Sequence, residues 1–127
     1  MPEVLLYNIE NKKAAGIKML CSTLGIGYRI VDPADYGKPI KALLGMIDSA
    51  ADKPDVAFCD EMLYLVDIRG DMLDIFLNLM RKRKLTVALK AVMTPTNVGF
   101  TSCELYRELC AEREAIRSGT TAHDAPQ

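Results

Sequence analysis

Glu61–Lys84 reads EMLYLVDIRGDMLDIFLNLMRKRK, and the way this stretch divides decides the fold. Glu61 to Val66 is a short, nearly continuous apolar run, the pattern of a strand covered on both faces. Asp67 to Asp71 (DIRGD) carries turn chemistry. Beyond it, the polar positions Asp71, Asp74, Asn78, Arg81 and Lys82 recur at helical spacing as one narrow stripe. A helix apolar over the rest of its circumference packs on more than one side. Met72–Met80 is therefore expected deep in the fold or at an interface between subunits. The stretch is strand, turn, helix.

Alternation of strand and helix continues outward. Glu3–Asn8 (EVLLYN) is an apolar strand ending in Asn8, a residue suited to N-cap a helix. Ile9, Ile17, Leu20, Cys21 and Leu24 then follow near helical spacing with lysines opposite, and Gly25 and Gly27 supply the stop. GYRIVD is a second short strand, closed by Asp32-Pro33. Pro39 suits the first turn of a helix in which Ile40, Leu43, Leu44 and Ile47 keep i, i+3, i+4, i+7 spacing. The polar run DSAADKPD (48–55) reads as a loop, and Val56–Phe58 as an extended lead-in to the third strand. A fourth strand falls within Val87–Met93, a TPTNVGF loop follows, and a helix runs from about Ser102 to Ile116. The sum is an α/β fold, (βα)4, in a single domain over 1–117 with a polar tail over 118–127. Such alternation predicts a mostly parallel four-stranded sheet of order 2-1-3-4, right-handed crossovers and helices on both faces. No internal repeat and no second domain is read from the sequence.

Composition narrows the function classes. The formal net charge is -1 over 127 residues, which gives no global attraction to nucleic acid or to an anionic membrane. MPEVLLYNIENKK lacks a basic n-region and has too short an apolar run for a signal peptide. No segment approaches the ~20 apolar residues of a membrane span. A cytoplasmic address is expected, with neither nucleic acid nor membrane as partner. Cys21, Cys59, Cys103 and Cys110 form no CxxC pair and read as reduced, mostly buried thiols. His123, the only histidine, lies in the tail, so neither zinc binding nor histidine acid-base chemistry is expected in the domain.

Ligands of a parallel sheet bind outside the carboxyl ends of its strands. Those ends carry Asn8, Asp67 and the run Thr94, Pro95, Thr96, Asn97, while Thr101 and Ser102 open the last helix. Asn8, Asp67, Thr94, Thr96, Asn97, Thr101 and Ser102 are thus the candidate ligand-binding residues, for a phosphate or carboxylate at a helix N-terminus. A purely structural turn explains the same loop. Thr101–Glu104 is T-x-x-E, a capping box; Pro95 stiffens the chain, Asn97 closes an Asx turn, Gly99 permits a positive φ, and Phe100 packs as a staple. Neither GxGxxG nor GxxxxGK[ST] is present, and no cofactor is expected.

Three further features have competing readings. MLYLVDIRGDM looks like the phospho-acceptor strand of a response-regulator receiver, but Glu10 alone is a poor magnesium partner and no lysine follows the last strand. Asp67 at a helix start, paired with Arg69, is the preferred reading. The basic run Arg81–Lys84 complements the C-terminal dipole of its helix. Asp60-Glu61 is an acidic pair with no second pair nearby, and Cys103 has no histidine to activate it, so no metal ligand and no catalytic residue is assigned.

Lys90–Asn97 (KAVMTPTN), Phe100, Thr101, Glu104-Leu105 and Glu108-Leu109 together resemble a family of small bacterial proteins known only as a domain of unknown function. VLLYN at the front and MLYLVDIRGDMLDIFLNLMR in the middle share the resemblance, which is dense over Glu61–Glu112. The family's usual tryptophan is Phe100 here. The resemblance implies fold boundaries and no activity. The function expected is a non-catalytic binding or protein-interaction module, self-associating as a homo-oligomer through Met72–Met80. The alternative is a sensor or enzyme for a small phosphate- or carboxylate-bearing molecule at the TPTN loop.

Overall fold

A computed structural model describes residues 1–47 and 57–118. Its elements are β1 (Glu3–Tyr7), α1 (Asn11–Leu24), β2 (Gly27–Ile30), α2 (Ile40–Leu43), β3 (Met62–Val66), α3 (Gly70–Lys82), β4 (Leu89–Val92) and α4 (Ser102–Ser118). The expectations for the 48–55 loop, Val56 and nearly all of the tail with His123 lie outside the described residues. The chain divides into two compact units, Met1–Asp35 with Cys59–Pro95, and Tyr36–Phe58 with Thr96–Gln127.

The first unit holds the whole sheet. Its order is β2-β1-β3-β4, as the sequence implies, but the sheet is mixed. β1 pairs with β2 and β3 with β4 in parallel, whereas β1 and β3 are antiparallel, with Glu3 opposite Val66 and Tyr7 opposite Met62. The expected mostly parallel sheet is corrected for a physical reason. An apolar run records that a strand is buried on both faces, and it carries no direction. Val4–Tyr7 and Met62–Val66 are all buried, so either direction satisfies the pattern. Direction is set by where the chain re-enters. The Asn8 side-chain amide donates to the Asp60 carbonyl (3.1 Å), so β3 starts where β1 ends.

On one face of this sheet, α1 and α3 share one core. Ala14, Ile17, Leu20 and Cys21 of α1 meet Phe76 and Met80 of α3 over Val4, Leu6, Leu63 and Leu65. If both β-α-β crossovers take the usual right hand, setting them antiparallel to each other places both helices on the same face, which accounts for the arrangement. Full burial of a side chain such as Ile17 or Phe76 contributes roughly 1.5–3 kcal/mol.

This arrangement is an internal repeat, which sequence pattern alone does not show. Most positions from β1 to the turn after α1 have a counterpart 59 residues later, although α1 has 14 residues and α3 has 13, and Gly70 has a positive φ that Asn11 lacks. Asn8 and Asp67 both leave a strand in the left-handed region, with φ 58° and 55°. Glu10 and Arg69 both stand at the N-cap. Ile17 and Phe76 are both fully buried. Gly25 (φ 70°) and Lys84 (φ 58°) both turn the chain out of the helix, followed by Ile26 N–H to Cys21 O and Leu85 N–H to Met80 O, 2.8 and 2.9 Å. The offset changes only before the last strand. Gly27 pairs with Glu3 while Leu89, not Thr86, pairs with Met62. Only apolar matching of the kind seen at Leu6 and Leu65 survives in sequence, and paired positions such as Gly25 and Lys84 share a conformation without sharing chemistry.

α2 is a single turn, shorter than its apolar spacing suggests, because Gly45 at φ 74° ends it. Pro39 bridges Thr101, and Ile40 N–H donates to Phe100 O (2.8 Å). Phe58 stacks between Tyr36 and Tyr106, with ring centroids 4.8 and 4.3 Å apart.

Candidate functional site

The strand ends are occupied by the chain's own contacts. At the end of β1, Asn8 is not the N-cap. Its left-handed φ, tolerated by asparagine, swings the chain so that Glu10 caps α1, accepting from Lys13 N–H at 3.0 Å. Glu61, just ahead of β3, accepts from Glu10 N–H (3.0 Å) and from the Lys13 ammonium (2.5 Å), which also reaches Thr86 O at 2.6 Å. Partial burial pushes the Glu61 carboxyl up. Lys13 and the Glu10 N–H outweigh it and hold the group below the usual carboxylate range. A carboxylate of the protein thus occupies the N-terminus of α1, where an anion would sit. In sequence Asp60-Glu61 stands out only as an acidic pair, because nothing local links residue 61 to residue 13.

Asp67 lies at the opposite end of the sheet. Since β1 and β3 are antiparallel, Asn8 and Asp67 are separated by the strand length, roughly 20 Å at ~3.3 Å per residue. The two side chains do not face a common cleft. Asp67 accepts from Arg69 at 3.0 Å, the pairing expected from sequence, and from the N-terminal ammonium at 3.3 Å. The ammonium first, then the guanidinium, hold its carboxyl below the usual range. Thr94 follows β4, which is parallel to β3, and stands at the Asp67 end.

Thr96, Asn97, Thr101 and Ser102 belong to the second unit. The capping box is formed in full. Thr101 N–H donates to Glu104 Oε1 (2.8 Å), and Glu104 N–H donates to Thr101 Oγ1 (3.1 Å). Cys103 N–H donates to Tyr36 O at 3.3 Å. The N-terminus of α4 therefore carries its own carboxylate. Gly99 lies in a short 3-10 turn, Asn97–Gly99, and does not use the positive φ foreseen for it.

Of the thiols, Cys21 and Cys103 are buried, Cys59 is exposed and Cys110 is intermediate, so the expectation of mostly buried thiols holds for two. Burial pushes the Cys21 thiol up to about 11. Among the described residues, no group of three or more His, Cys, Asp and Glu side chains is placed to hold a metal. No helix among them is long and apolar enough to cross a membrane.

α3 presents a different surface. Phe76 and Met80 face the core, and Met72, Leu73, Leu77 and Leu79 are partly buried against it. Of the five stripe positions read from sequence, Asp71, Asp74, Asn78, Arg81 and Lys82, all are exposed. Ile75 beside them is 45% exposed. Ile75, Asn78, Leu79, Arg81 and Lys82 line an open groove along the helix. A buried inner face and an uncovered outer one replace burial on all sides, one of the two expectations for this helix.

The first unit is thus two β-α-β repeats among the described residues, with one helix face left open. Residues 61–116 match the model of a family described as a domain of unknown function (DUF3783), under half of the 127-residue chain. The match begins at β3, takes in the whole second repeat and ends within α4, in keeping with the resemblance seen over Glu61–Glu112. No curated protein and no solved structure matches the chain.

Proposed function

We propose that this protein is a non-catalytic protein-interaction module whose docking face is the outer side of α3. The observation that supports this reading is the exposed Ile75, set with Leu79 in a groove rimmed by Arg81 and Lys82. An apolar anchor with a charged rim is the usual composition of a recognition patch. The alternative, a phosphate or carboxylate site at the TPTN loop, has less support. Glu104 already occupies the helix end that such an anion would use, and repels it.

Two variants separate the readings. Phe76 is buried, so a charge there would unfold the chain and report nothing about docking. Ile75→Glu is the informative change. It is expected to abolish capture of the protein partner, whether a differently tagged copy or another chain, with the melting temperature within about a degree or two of wild type. Asn97→Ala is expected to leave capture intact. A thermal-shift screen against nucleotides, phosphorylated metabolites and carboxylates is expected to be flat. A ligand at ~100 times its Kd adds about 2.7 kcal/mol, so a saturable shift lost in Asn97→Ala would overturn the proposal.

A further inference from the structure

Along the outer stripe of α3, charge is sorted by position. Asp71 and Asp74 lie in the N-terminal half, Asn78 is central, and Arg81 and Lys82 lie in the last turn, all exposed. Among the described residues, Asp71, Asp74 and Lys82 have no ion-pair partner, and Arg81 bonds only the neutral Asn78 amide, at 2.7 Å. A stripe acidic at one end and basic at the other is complementary to itself when reversed. We infer that the partner docked on α3 is a second copy of this chain, with the two α3 helices antiparallel about a twofold axis at Asn78.

The register follows from helix geometry. A twofold at Asn78 sets Asp74 opposite the partner's Lys82, and sets Lys82 opposite the partner's Asp74. Ile75 then lies opposite the aliphatic stem of the partner's Arg81, and the two Asn78 amides meet at the centre. Both acid-base pairs form at once, as an isologous contact requires. A parallel arrangement would instead oppose like charges, at a cost that disfavours it. The helix dipoles are also paired favourably when antiparallel. α3 spans 13 residues, roughly 20 Å, less than the ~800 Å² per partner of a standard interface requires. A weak dimer is expected, half-formed at about 10–100 µM and sensitive to salt.

This dimer rests on the α3 docking face proposed above, and its test can fail while that face survives. Sedimentation equilibrium is run on three chains: wild type, Asp71→Lys/Asp74→Lys, and Arg81→Asp/Lys82→Asp. The wild type is expected to dimerise below about 500 µM, and each variant alone to associate at least about tenfold more weakly. An equimolar mixture of the two variants is expected to recover a dimer at least as tight as wild type. A wild type monomeric to about 500 µM, variants that associate as well as wild type, or a mixture that stays monomeric would each overturn the inference. If the wild type is monomeric yet Ile75→Glu still loses another captured chain, only the second copy is excluded. Should either variant fail to fold, Asn78→Cys in a Cys59→Ser background decides the same question. Mild oxidation is expected to crosslink it into a dimer, and failure to crosslink at about 100 µM would contradict the twofold.

Discussion

Glu61 carries two jobs at once: it closes the N-terminus of α1 and anchors Lys13 across to Thr86. Glu61→Gln keeps the shape and removes the charge. It is expected to lower stability by about 1 kcal/mol at pH 7, a charge-assisted bond discounted for partial exposure. The melting temperature should then fall by about 4 °C at this size. Its pH dependence has a definite sign. The folded carboxyl lies below its ordinary value, so its contribution is present above the unfolded value near ~4.3 and disappears as pH falls through the folded one. Melts of the two proteins should differ at pH 7 and converge as pH falls through the lowered folded value. A gap that persists in acid would show that the amide, not the lost charge, is responsible.

The two β-α-β elements make a comparison within one chain. Gly25 ends α1 and Lys84 ends α3 in the same left-handed conformation, which costs an L-residue roughly 1–2 kcal/mol relative to glycine. Substitutions at the two positions should therefore have opposite signs. Gly25→Ala is expected to destabilise by about 1 kcal/mol even though no atom crowds the new Cβ, and Lys84→Gly to stabilise by up to about 1 kcal/mol. Urea melts of both variants check this, and equal signs would contradict the repeat. The capping box allows a third test. Thr101→Val removes the hydroxyl that accepts from Glu104 N–H and should cost about 1 kcal/mol. The repeat is illegible in the sequence for the same reason these tests work. Backbone conformation is shared at Gly25 and Lys84, while side-chain chemistry is not. Caps and helix stops that rest on one residue, such as Gly25 and the Thr101–Glu104 box, are legible. Strand direction, which rests on where Asp60 meets Asn8, is not.

For the whole molecule, the sorted charge of α3 is the feature with the widest consequence. The stripe Asp71–Lys82 is legible from helical spacing alone, because exposure and polarity repeat together. That Phe76 faces the core while Ile75 faces out is not legible, since both are apolar and the helix could have been covered on either side. The candidate ligand residues share a site only in a parallel sheet, and the antiparallel β1–β3 pair parts Asn8 from Asp67. What remains is a surface, with polar groups at the strand ends tied into the protein's own bonds and an apolar groove on one helix left uncovered. Amide ¹H–¹⁵N spectra of the wild-type chain from about 20 to 500 µM test this most directly. Concentration-dependent shifts are predicted to cluster on residues 71–84 and to vanish in Ile75→Glu. Spectra that do not change with concentration, or changes gathered on residues 94–102 instead, would contradict the account.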